Sequence, residues 1–456
     1  MYAPSIFCLL FLSSDIDMKR SNYNTEILLK SGRYLIHNAR CNSLAILEAE
    51  EGVLLNVGSE DLLKEGFFVP DDFDEEKSFR EQFSYAVHDD RYMILSIMPT
   101  LACNFRCDYC YEGKEHCGSL MEESVCAAIC EAVRREAYRL KQLHVCWYGG
   151  EPLIGISVIQ RLSAELIEIC RENKVSYMSS IVTNGYYLTK ENAQILKEAG
   201  VTTVQITLDG ARECHDQRRI LADGSGTFDT IVGHIRDALD KNCFHFNIRV
   251  NIDRRNQDGI QQMFRQLEEA GLANHANLRV YFAPVVASTD ACASISCEVI
   301  SEVEYGRMES ELIRQAFNDR LGNVNYPQYL ASTCSAVKPL GFVILPDGVM
   351  HKCWHTVPYP ERAVGTVFEL AEGKDFMEND NYRMWRSFNP LNKADCVDCK
   401  MLFLCAGACA HKHLISGQNP CLSMKYNLKS RLLMYALAVG MISADEIPSE
   451  AVPTQI

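Results

Sequence analysis

Cys103, Cys107 and Cys110 lie on one short stretch, CNFRCDYCYEG, spaced C-x3-C-x2-C. Three thiolates on one loop can ligate three irons of an iron–sulfur cubane and leave the fourth iron without a protein ligand. An open iron can bind a small molecule, whereas a fourth cysteine would leave an electron carrier. The same spacing also suits a zinc loop, or thiols that are merely buried. A second set lies near the C-terminus: Cys334, Cys353, Cys396, Cys399, Cys405, Cys409 and Cys421. Seven cysteines at these separations can hold two further clusters, and the C-x2-C pair Cys396/Cys399 would also suit tetrahedral zinc.

The elements that must position the first loop run from Tyr92 onward. YMILSIMPT reads as a buried strand, and residues 121–141 as a helix. HVCWYGGEP, SSIVTNGYYL, TTVQITLDG, FHFNIRVNID and NLRVYFAPV read as strands, alternating with helices over 156–172, 189–200, 228–242 and 257–271. Such alternation predicts a parallel α/β barrel or partial barrel, with functional residues after the strand C-termini. Upstream, EILLKSGRYLIHN reads as a hairpin about Ser31-Gly32, followed by a strand and a short helix capped by Ser59 and stopped at Gly66. DDFDEEKSFREQ is charged and reads as a solvated linker helix. A last helix, 424–440, is expected to pack back on the body. The domains expected are therefore an N-terminal extension (1–22), a small unit with its linker (23–91), the barrel (92–310), a cysteine-rich domain (311–430) and a C-terminal helix and tail (431–456).

The chain has 456 residues and a net charge of −15. That charge argues against a general binder of the phosphate backbone, which needs a basic face. Neither a nucleic-acid nor a membrane partner is expected. The apolar run Ile6 to Leu12 is too short to span a bilayer and lacks a basic segment before it, and Met18 is an alternative start. An odd total of 21 cysteines is a poor disulfide framework, which places the protein in a reducing cytoplasm. Cys126, Cys130, Cys146 and Cys170 fall in helix or strand patterns and read as small buried hydrophobes. His116, His144, His351, His355 and His411 are given no role.

The three-cysteine loop resembles that of the radical S-adenosylmethionine (SAM) superfamily. Other motifs follow in the order that resemblance requires: Gly149, Gly150, Glu151 and Pro152 after the second strand, Thr183, Asn184 and Gly185 after the third, and Thr207, Asp209 and Gly210 after the fourth. They look like the family's GGE, TNG and SLDG turns, with Thr207 in place of the usual serine. The resemblance implies a partial (β/α)6 TIM-like barrel and a [4Fe–4S] cluster whose open iron chelates SAM. It implies reductive cleavage of SAM to a hydrogen-abstracting 5′-deoxyadenosyl radical. It also implies SAM contacts from Tyr109, Gly149, Gly150, Glu151, Asn184, Thr207, Asp209 and Arg249, with Asn251 nearby. The C-terminal cysteines are similar to the SPASM extension. That implies an outer auxiliary [4Fe–4S] cluster on Cys396, Cys399, Cys405 and Cys421, and an inner one on Cys334, Cys353 and Cys409. Its fourth ligand is open, with Cys292 and Cys297 as distant substitutes.

Beside such a core, the 23–67 unit resembles the winged recognition domains of thioether-forming peptide maturases, in which a leader peptide adds a strand to an exposed sheet edge. The function expected is oxidative modification of a ribosomally made, leader-bearing, cysteine-containing peptide, with a sulfur-to-carbon thioether as product. An electron donor such as ferredoxin or flavodoxin would charge the first cluster. A second reading is a formylglycine-forming sulfatase maturase, which carries Asp directly after the second SPASM cysteine. Here Trp354 follows Cys353, and Asp347 precedes Gly348. Carbon–carbon and carbon–oxygen crosslinking enzymes are a third reading, and a non-catalytic iron–sulfur scaffold a fourth.

Overall fold

The computed structural model describes residues 17–48, 60–112, 118–241, 244–287, 289–322, 324–328 and 334–448. The 6–12 run, Ser59 and His116 lie outside them. Six strands form the expected parallel array: β6 (Tyr92–Ile97), β7 (Gln142–Trp147), β8 (Ser176–Thr183), β9 (Val201–Thr207), β10 (His245–Ile252) and β11 (Leu278–Pro284). They are hydrogen-bonded in chain order, each parallel to the next. Their helices, such as Glu123–Glu136 and Ile156–Asn173, bury one apolar face against the sheet, and Cys126, Cys130 and Cys170 lie in that core. Cys146 is half-buried.

The sheet does not close. Its β6 edge is extended by β12 (Gly341–Ile344), parallel to β6, and then by the antiparallel β13 (Val349–His351) and β14 (Gly365–Thr366). The cysteine-rich region therefore grows directly from the barrel. The helix Met424–Ala438 packs on the helix Glu302–Asn318, where Asn427 Nδ2 donates to the Gly306 carbonyl at 2.8 Å.

At the N-terminus, β2 (Asn24–Leu28), β3 (Tyr34–Asn38) and β4 (Ser43–Leu47) form an antiparallel three-stranded sheet in that order. A strand within 1–22 was not expected, yet β1 (Met18–Arg20) pairs with β5 (Phe68–Pro70). The charged stretch proves to be the helix Glu75–His88, capped by Asp74, and it is not a solvated linker. Phe79, Phe83 and Val87 recur every four residues and make one buried stripe. Phe79 meets Phe403 edge-on with centroids 5.2 Å apart, and Tyr23 meets the same ring at 4.7 Å. These rings belong to a second core, shared with Trp385, Phe388 and Leu432. The hairpin is tied down by Glu446, which accepts from Ser31 Oγ at 2.6 Å and from Arg33 Nη2 at 2.6 Å.

Two outcomes are expected. Phe79→Ala should cost about 3–5 kcal/mol, because it opens a cavity between the N-terminal unit and the Phe403 loop; unfolding of the apoprotein measures it, and a loss below about 1 kcal/mol would refute a shared core. The Arg33 and Ser31 bonds depress the Glu446 carboxyl from 4.5 to about 2. Its contribution is therefore fully present above pH 4.5 and lost as pH falls through 2. Glu446→Gln should flatten this part of the acid-unfolding profile.

Candidate active site at the carboxyl ends of the strands

The cysteine loop leaves β6 and folds over the ends of β7 and β8. Its backbone is pinned on one side by Gly149 and Gly150. A Cβ on Gly149 would lie 2.5 Å from the Thr100 carbonyl oxygen, and one on Gly150 2.4 Å from that of Leu101. No side chain fits there. The demand for glycine visible here is thus contact with the cysteine loop. Glu151 N–H donates to the Ala102 carbonyl at 2.9 Å. The Glu151 carboxylate is fully buried and accepts from Thr183 Oγ1 and Asn184 N, each at 2.7 Å, and from Leu153 N at 2.9 Å. It ties the β7 turn to the β8 turn. Asn184 Nδ2 donates back to Asn104 Oδ1 on the cysteine loop at 2.8 Å.

On the other side the loop pairs with residues 220–222. Arg106 N donates to the Ile220 carbonyl at 2.9 Å, and Ala222 N to that of Asn104 at 3.0 Å. Tyr109 is the hub. Burial pushes its hydroxyl well above the ordinary range, so the O–H stays and donates to Asp209 Oδ2. The Tyr109 hydroxyl oxygen in turn accepts from Arg219 Nη1 at 2.7 Å and Asn251 Nδ2 at 3.4 Å, and the Arg218 guanidinium lies over the ring at 5.2 Å. Arg218 also pairs with Asp253 at 2.9 Å, and Asp253 with Arg255 at 2.6 Å. His215 completes the set: Asp209 N donates to its Nδ1 at 3.2 Å, so Nε2 carries the proton toward Thr227 Oγ1 at 3.0 Å.

The three thiols sit close enough to raise one another. Burial pushes Cys103 up to about 12 and raises Cys107 and Cys110, with Arg219 opposing the rise at Cys107. Such thiols stay protonated unless a metal supplies the compensating charge. Next to them Asp209 Oδ1, Arg218 Nη2, Arg219 Nε and Asn104 Nδ2 are buried with no hydrogen-bond partner among the described residues. Orphaned donors and a carboxylate oxygen together fit a ligand bearing both a carboxylate and an amine, and the thiol trio fits a cluster with one open iron. Thr207 is buried at the end of β9 beside Arg249 in register. Arg249 turns the other way. Its Nε donates to Asn251 Oδ1 at 2.7 Å, and its charge acts on Tyr148 and His355.

There the barrel meets the cysteine-rich region. Tyr148 stacks on Trp354 at 4.4 Å, Tyr111 faces His355 at 5.2 Å, and His355 faces His411 at 5.2 Å. Among the C-terminal thiols, Cys353 acts with Cys334 and Cys409, whereas Cys405 acts with Cys396, Cys399 and Cys421, and the latter four line one pocket. Cys292, expected as a distant substitute at the inner trio, lies elsewhere in the contacts described. It is buried beneath the first loop, where its thiol donates to the Tyr109 carbonyl at 3.4 Å. Cys297 is exposed and faces Glu298.

Arg218, Arg219, Asp253, His215 and the His355–His411 pair were missed by sequence reading. The adjacent arginines in ECHDQRR were the available signal, since two cations on one short helix after a strand-end turn need an anion nearby. Tyr109→Phe should leave Arg219 and Asp209 without their shared partner and cost about 1–3 kcal/mol. Thermal unfolding measures this, and an unchanged midpoint would show that the hub hydroxyl is dispensable.

The Radical SAM superfamily model matches residues 97–267. The chain is 23% identical over 377 residues to the radical SAM cyclopropyl synthase TigE of Paramaledivibacter caminithermalis, covering 76% of this chain and 75% of that protein. Several other curated relatives are matched over only a third to a half of their length. In three dimensions the chain is similar to anSMEcpe with bound AdoMet and Cp18Cys peptide (TM-score 0.56, 17% identity, 77% of this chain and 98% of that one). It is also similar to Streptococcus suis SuiB bound to precursor peptide SuiA (TM-score 0.53, 14% identity, 89% and 98%). At these identities the likeness is one of fold. With the superfamily match on the barrel and the thiol trio at its mouth, the chain carries a radical SAM domain over residues 97–267, the domain of enzymes that use a [4Fe–4S] cluster and SAM.

Proposed function

We propose that this enzyme modifies a cysteine-containing, ribosomally made peptide, joining the cysteine sulfur to a carbon of the same peptide. One juxtaposition carries the reading. The first cysteine loop faces, across Tyr148–Trp354 and Tyr111–His355, a second group of three thiols (Cys334, Cys353 and Cys409) that, holding a cluster, would offer a substrate thiolate an open iron. Peptides bound to anSMEcpe and SuiB support the substrate class.

Cys103, Cys107 and Cys110 would hold the first cluster, Cys334, Cys353 and Cys409 the inner auxiliary one, and Cys396, Cys399, Cys405 and Cys421 the outer one. Bound together, cluster and SAM supply a carbon radical that abstracts hydrogen. This chain's own residues do the rest. Tyr109 and Glu151 hold the loop in register with the strand ends. Arg219 and Asp209 would take the carboxylate and amine of SAM, and the Tyr148–Trp354 stack would screen the site from water. Trp354 stands where a sulfatase maturase carries its carboxylate, which disfavours formylglycine chemistry. The 23–91 unit would take the leader peptide on β4, an edge strand among the described residues. The barrel would comprise 92–310 and the auxiliary domain 311–430, with a ferredoxin or flavodoxin as electron donor. Carbon–carbon bond formation is the second reading, favoured by the likeness to the cyclopropyl synthase.

Reconstituted enzyme, incubated anaerobically with SAM, dithionite and cysteine-containing peptides encoded beside its gene, should release 5′-deoxyadenosine. The modified peptide should lose two hydrogens and its alkylatable thiol. Loss of two hydrogens with the thiol still free would select the carbon–carbon reading, and Arg219→Gln should weaken SAM binding at least tenfold in calorimetry.

A further inference from the structure

The outer group of thiols differs from the other two in how it meets positive charge. At the first group Arg219 acts on Cys107 from a buried network. At the inner group Lys352 is buried, its ammonium 4.5 Å from the Phe342 ring and 2.6 Å from the Lys338 carbonyl. Here the cation is exposed and reaches sulfur itself: Lys425 Nζ donates to Cys421 Sγ at 3.7 Å. The geometry has a local cause. Cys421 precedes the helix Met424–Ala438, and Lys425 lies four residues on, in its first turn, so the side chain folds back over the thiol. Both residues line the pocket shared with Cys396, Cys399 and Cys405. The charges of Lys425 and Lys393 also act on Cys396.

We infer that Lys425 sets the reduction potential of the outer auxiliary cluster by hydrogen-bonding one of its sulfur ligands. Each one-electron reduction adds a negative charge to the thiolate-bound cluster. An ammonium N–H directed at a ligand sulfur stabilises that added charge and raises the potential. Lys425 is a positioning and tuning residue that touches no substrate. The inference rests on the assignment of Cys396, Cys399, Cys405 and Cys421 as ligands.

The test uses the full chain carrying Cys103→Ala, Cys107→Ala and Cys110→Ala, so that only auxiliary clusters contribute. Iron and sulfide analysis should show two clusters, and Cys396→Ala with Cys399→Ala should abolish one electron paramagnetic resonance signal. Failure at that step overturns the ligand assignment. Potentiometric titration then follows the two signals separately. Lys425→Gln should lower the potential of the signal lost with Cys396 and Cys399 and leave the other in place, and Lys425→Arg should restore most of the shift. Equal potentials in wild type and Lys425→Gln, or equal shifts in both signals, would overturn the inference. Lys425 is exposed, so its replacement should spare folding, and unchanged iron content verifies this.

Discussion

The first group of thiols is placed by the contact between two backbones, the cysteine loop after β6 and the glycine turn after β7. The carbonyls of Thr100, Leu101 and Ala102 occupy the space where side chains at 149 and 150 would stand. Close approach lets Glu151 N–H reach Ala102 and lets the Glu151 carboxylate reach the β8 turn. A one-atom addition at either glycine would lift the loop and, with it, all three thiols.

The loop's other anchor is electrostatic, and it is expensive. Asp209 and Asp253 are fully buried, and Arg218 nearly so. Buried ion pairs rarely exceed an apolar core in stability, and orphaned polar atoms add several kcal/mol of further cost. A site that tolerates Asp209 Oδ1 and Arg219 Nε unpartnered is organised for a charged ligand. The Tyr109 hydroxyl, accepting from Arg219 while donating to Asp209, joins that network to the cysteine loop.

The second core explains why the N-terminal unit and the cysteine-rich region cannot be considered apart. Tyr23 and Phe79 enclose Phe403, which lies between Cys399 and Cys405, and Lys400 Nζ donates to the Asn24 carbonyl at 3.0 Å. The unit expected to recognise a peptide thus packs against the loop that carries Cys399 and Cys405.

The six strands, their order and the place of the GGE, TNG and LDG turns were legible in the chain alone. YMILSI is a short apolar run and FNIRVNI alternates apolar with polar residues, both strand patterns, and parallel order puts every following turn on one edge. The grouping of the cysteines was legible through resemblance to a known spacing. What tertiary structure decided was everything set by contacts distant in sequence. It gave Glu151 three donors and made Tyr109 the meeting point of Asp209, Arg219 and Asn251. It turned the Phe79 stripe inward, because a helix with charge on three sides still buries its fourth when a partner ring is offered. It also separated Cys405 from Cys409. Ala406, Gly407 and Ala408 all adopt left-handed backbone, at φ 46, 81 and 55°, and this turn sends the two thiols to different thiol groups. Local sequence sets the spacing of those cysteines, but only the surrounding fold can hold two alanines in that conformation.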